Sequence, residues 1–190
     1  MAYQSSDVRA VFATADAVAA DPDGLAQSQT PSGAGNLTLN GALTSGGVGT
    51  FVSSRQITIT SAGNISNRTF TITGTDVSGV AQVVAITGPN AATVTTSEHF
   101  RTVTQIAISG AAAAAVTAGM NGNAIEVITT GRARIKGAFI VNSATAGTVS
   151  FADTATPDAT SATADLITAA TRLKLGTVAS ATAERDVTIP

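Results

Sequence analysis

From Gln56 to Ser109 the chain alternates apolar residues with Thr, Ser or Gln in four runs: Gln56-Ile-Thr-Ile-Thr60, Thr69-Phe-Thr-Ile-Thr-Gly-Thr75, Val80 to Ile86, and Phe100 to Ser109. A period of two sends successive side chains to opposite faces, so one row enters a core and the other faces water. Each break between runs holds Gly, Asn, Asp or Pro, the residues that turns require. The pattern predicts short antiparallel strands near 50–60, 68–74, 79–87, 92–95, 101–109 and 123–129. Turn signals about 8–12 residues apart are those of sandwich folds. Residues 74–79 read as a hairpin turn, and Gly46-Gly47-Val48-Gly49 as a turn or bulge. Gly88-Pro89-Asn90 reads as a sharp break, since Pro fixes φ and Gly or Asn accepts a left-handed conformation.

The flanks differ. Val8, Val11, Phe12, Ala15 and Val18 fall at helical spacing after Ser6 or Asp7 as an N-cap. Asp21-Pro22-Asp23-Gly24 then stops a helix, and the Gln-, Ser-, Thr-, Pro- and Gly-rich stretch to Gly35 reads as an extended linker. Residues 1–35 are therefore expected to be an arm, with Val8, Val11, Phe12 and Val18 as its partner-docking face. Residues 36–130 form a first β module, opened by Leu37, Leu39 and Leu43. Residues 131–190 form a smaller second one, where Ile135 to Val141, Val149 and Phe151, Leu173 and Leu175, and Val187 and Ile189 alternate. The expected fold is all-β: two β-sandwich-like modules preceded by an extended or partly helical N-terminal arm.

Composition fits a scaffold. Of the 190 residues 44% are hydrophobic, but only 4% are aromatic and 12% charged, against a usual charged share of about 25%. Interface cores are depleted of charge, so the low share points to a surface covered by other subunits, in a homo-oligomer such as a trimer. A net charge of −2 gives no electrostatic footprint for nucleic acid. Arg132, Arg134 and Lys136 alternate along one expected strand face and read as a solvated row. The absence of cysteine removes disulfides, thiolate catalysis and cysteine-ligated zinc. The first residues lack the basic and apolar regions of a signal peptide. No apolar run reaches the ~20 residues that span a bilayer.

Little remains for chemistry. His99, the single histidine, stands beside Glu98, but adjacent residues in an extended segment point to opposite faces. Asp21-Pro-Asp23-Gly24 lacks the later ligands and closing Glu of a calcium loop. Without Trp and with Tyr3 alone, no sugar-stacking cleft is expected. Asn36, Asn64 and Asn67 match the glycosylation pattern by chance in so Thr-rich a chain. No catalytic, cofactor-binding or metal-ligating residue is assigned.

Phe70-Thr-Ile-Thr-Gly-Thr-Asp76, Ile86-Thr-Gly-Pro-Asn90, Val94-Thr-Thr and Phe100 to Ser109 resemble a recurrent module of tailed-bacteriophage structural proteins. Gly137-Ala-Phe-Ile-Val-Asn142, Gly147 to Asp153 and Asp186-Val-Thr-Ile-Pro190 look like a second module of the same kind. The resemblance implies a non-enzymatic virion component, made in the host cytoplasm. A capsid decoration or cement protein on the major capsid protein is the leading expectation. A head fibre, neck or tail component, a receptor-binding adhesin and, remotely, a cell-wall hydrolase are the alternatives.

Overall fold

The computed structural model describes residues 18–126 and the backbone of four later strands. Every regular element among them is a β-strand. The chain divides into two compact units, Met1–Ile128 and Thr129–Pro190.

The first unit holds one eight-stranded antiparallel sheet. Its strands are β1 (Asp21–Gln29), β2 (Gly35–Asn36), β3 (Thr44–Ser45), β4 (Val48–Ser61), β5 (Thr69–Thr75), β6 (Ala81–Thr87), β7 (Thr93–Ile108) and β8 (Val116–Ile125). The main path runs β1-β8-β4-β7-β5-β6, with β2 on β7 and β3 on β4. Alternation along the chain becomes facing apolar rows. Phe70 and Ile72 of β5 pair with Ile108 and Ile106 of β7, and Ile57 and Ile59 of β4 pair with Met120 and Ala118 of β8. These residues join Leu25, Leu37, Phe51, Ile65, Phe100 and Val103 in one core. The threonine rows form rungs, with Thr60 to Thr93 at 2.8 Å and Thr75 to Thr102 at 2.7 Å between hydroxyls. Such cross-strand pairs contribute roughly 0.2–1 kcal/mol each.

The expected hairpin is present: Asp76 Oδ1 accepts from the N–H groups of Ser78 and Val80, and Gly79 takes φ 80°. Gly46 (φ 59°) and Gly47 (φ 77°) turn the chain from β3 into β4. After Pro89 it is Ala91, not Asn90, that takes the left-handed conformation, at φ 48°.

Three expectations are corrected. Residues 21–29 are not a linker but strand β1 on β8, with Leu25 and Ala26 fully buried. The helix-stopping Asp21-Pro-Asp-Gly becomes a wide bulge, in which five steps along β1 (Asp21 to Ala26) face two along β8 (Met120 to Ala118). Gly119 permits it: a Cβ there would sit 1.9 Å from the Asp21 carbonyl oxygen. The segments expected at 92–95 and 101–109 are one continuous strand, β7. The strand expected at 123–129 begins earlier, at Val116, in an Ala- and Gly-rich stretch that carries no alternation of its own.

In the second unit, β9 (Gly137–Ile140) pairs with β12 (Arg185–Thr188), and β10 (Gly147–Ser150) with β11 (Lys174–Val178), all antiparallel. These lie where the later alternation placed strands. The expected helix around Val8, Val11 and Phe12, and the basic row Arg132, Arg134 and Lys136, lie outside the described residues.

If β1 belongs to the core, Leu25→Ala leaves a cavity and lowers unfolding free energy by about 2–5 kcal/mol. Gly119→Ala also destabilises, by forcing β1 off β8. Urea unfolding of both variants checks this; a wild-type midpoint for Leu25→Ala would return residues 21–29 to the role of a linker.

Candidate functional site

Among the described residues, a cluster of hydrogen-bonded polar side chains lies where β4 passes between β7 and β8 at Arg55–Ile57. On the β7 side, Gln56 pairs with His99 and Thr58 with Thr95, so two steps of β4 face four of β7. On the β8 side, Arg55 pairs with Ala124 and Ile57 with Met120, again two steps against four. Each neighbour therefore carries two extra residues at the same level of β4. A bulge leaves ladder groups without their usual partners, and here side chains take their place. The N–H of Ile57 donates to Thr96 Oγ1 at 2.9 Å, and that hydroxyl donates onward to the Glu98 carbonyl at 2.7 Å. Gln56 bridges both bulges: its Nε2 donates to the Ser97 carbonyl at 3.2 Å, and its Oε1 accepts from Asn121 Nδ2 at 2.6 Å. Asn121 Oδ1 in turn accepts from the N–H of Asn123.

Two arginines fasten the same region. Arg55 is 3% exposed and donates to the Gly122 carbonyl at 3.0 Å. Arg101 forms an ion pair with Glu126 at 2.5 Å and donates to the Val52 carbonyl. Val52 lies in a third irregularity, where five steps of β4 (Thr50 to Arg55) face two of β7 (Thr102 to Phe100). With its carbonyl held, the Val52 side chain stands 77% exposed.

His99 is buried on β7, and its carbonyl accepts from Gln82 Nε2 at 2.7 Å. The Glu98 carboxylate accepts from Ser97 Oγ at 2.7 Å. The bond to His99 is thus made by its backbone, and that to Glu98 by its carboxylate. Asp21 Oδ1 accepts from the N–H of Asp23 within the β1 bulge. No group of three or more His, Cys, Asp or Glu among the described residues could hold a metal ion. No helix among them is long and apolar enough to cross a membrane. Of the four docking-arm residues, Val18 is described and is 40% exposed ahead of β1; Val8, Val11 and Phe12 lie outside the described residues.

The arrangement is therefore a set of amides, hydroxyls and guanidinium groups bonded chiefly to backbone carbonyls. It can stiffen a bent sheet and offer hydrogen bonds. Gln56, Thr96 and Asn121 escaped sequence reasoning because a polar residue at an alternating position looks solvent-facing. The Thr95-Thr96 doublet, which interrupts the alternation, is the one signal that could have marked the bulge.

Comparison of the chain with protein-family models, curated proteins and solved structures finds no match.

The site predicts opposite outcomes for one substitution. Thr96→Val removes the hydroxyl serving a buried N–H and lowers stability by about 1–3 kcal/mol. Thr58 is also buried, but its hydroxyl has no partner, so Thr58→Val raises stability by about 1 kcal/mol. Thermal and urea unfolding of the two variants reads both signs; equal effects would contradict the bulge assignment.

Proposed function

We propose that the protein is a non-enzymatic structural component of a tailed-phage virion, a decoration or cement protein bound to the major capsid protein. The observation carrying this reading is where the polar chemistry goes. The side chains of Gln56, Thr96, Asn121, Arg55 and Arg101 bond mainly to the chain's own backbone and to one another. Such a molecule works by its surface. Its Thr-rich, weakly charged strands suit many shallow contacts and main-chain pairing at open edges. Repetition over a shell amplifies weak single contacts.

In this reading both units are sandwich-like modules lying over junctions between capsid subunits. The docking arm around Val8, Val11, Phe12 and Val18 reaches toward a neighbour. The resemblance of 55–110 and 135–190 to phage structural modules supports the same conclusion, and so does the low charged share of 12%.

Purified full-length protein should bind expanded capsids, and removal of residues 1–17, which spares β1, should weaken binding at least tenfold. Particles lacking the protein should lose resistance to heat and low salt. Particles that resist equally with and without it would overturn the cement role.

A further inference from the structure

The two edges of the first unit's sheet are treated in opposite ways. At β1, Pro22 removes a donor, Asp21 and Asp23 bring charge, and the register is broken by bulges. These are the devices by which proteins blunt an edge. The segment 38–43 also bonds to this strand: Gly41 and Leu43 donate from their N–H groups to the carbonyls of Leu25 and Gly24. Gln27 N–H donates to Asn40 Oδ1, and the Gln29 side chain bonds both backbone groups of Thr38.

At β6 none of this is found. Ala81–Thr87 pairs with β5 in unbroken register at all seven positions. Among the described residues it has no second neighbour in the sheet. It contains no Pro, no Gly and no charge. Its outer face is apolar, with Val83 65% exposed, and Val80 just before the strand is 62% exposed. A regular edge leaves alternate N–H and C=O groups pointing outward, and what satisfies them is another extended strand.

We propose that β6 is a homodimer seam, where a second copy of this chain adds its own β6 antiparallel about a two-fold axis at Val84. The strand is self-complementary in this register. Val84 meets its own copy, Val83 meets Ala85, Gln82 meets Ile86 and Ala81 meets Thr87. Every pair is uncharged, so no like charges oppose each other, whereas a charged foreign strand would find no counter-charge. Val84 and Ile86 pack against the core, so the pairing continues the apolar row of one sheet into the next. A two-fold contact also closes on itself and leaves no further open edge at β6. The inference concerns the chain alone, so failure of capsid binding would leave it standing.

Sedimentation of the full chain over a range of concentrations should show a dimer. Val83→Lys with Ala85→Lys, both at exposed positions, should weaken association at least tenfold while leaving the far-ultraviolet spectrum unchanged. Because the chain has no cysteine, Val84→Cys should give a covalent dimer on mild oxidation, and Val52→Cys should not. A monomer at every concentration, an assembly that survives the double lysine variant, or equal cross-linking at both positions would overturn the proposal.

Discussion

The structure depends on the pairing of the two longest strands among the described residues, β4 and β7. β4 has 14 residues and β7 has 16; fully extended they would span ~46 Å and ~53 Å. A compact unit of this chain length is about 36 Å across. A bulge bends the strand that carries it, so strands of that length can curve where their register breaks. The breaks are concentrated at Thr50–Arg55 and Arg55–Thr58, on both sides of β4. Each leaves backbone groups to be satisfied, which explains why Gln56, Thr96, Asn121, Arg55 and Arg101 gather there. The remaining strands attach to this bent pair: β8 and β1 on one side, β5 and β6 on the other.

That constraint bears on function. Among the described residues, the side chains of Arg55, Gln56, Thr96, Arg101 and Asn121 are engaged in holding the bulged centre of the sheet. His99 and Glu98 lie on β7 beside this framework, the His99 carbonyl accepting from Gln82 and the Glu98 carboxylate from Ser97. The edges are unequal, one bulged and covered by segment 38–43, the other regular and uncharged. This inequality ties the fold to the proposed life as one tile among many.

What could be read in the sequence follows from how locally each feature is encoded. The strands at 69–75 and 81–87 and the turn between them were legible, because alternation and Asp-x-Ser-Gly chemistry lie within a few residues. So were the four strands of the second unit. β1 was not, because Pro22 and Gly24 stop structure locally, and only Gly119, almost a hundred residues on, makes room for them. β8 was hidden by its small residues, which serve a close approach and give no periodic signal. The continuity of β7 was missed because Ser97-Glu98-His99 looks like a junction, while in the fold it is a bulge stitched by Gln56 and Thr96. Of the docking residues only Val18 lies in the described region.

Amide hydrogen exchange on the full chain tests most directly whether the bulged centre of β4 is a structural keystone. Amides that open only with global unfolding are the slowest to exchange, whereas binding loops open locally and exchange fast. The account predicts that the N–H of Ile57, held by a side-chain hydroxyl instead of a ladder carbonyl, is protected as strongly as the regular core of β5 at Ile72. Exchange at Ile57 as fast as that of the turn at Ser78 would contradict it.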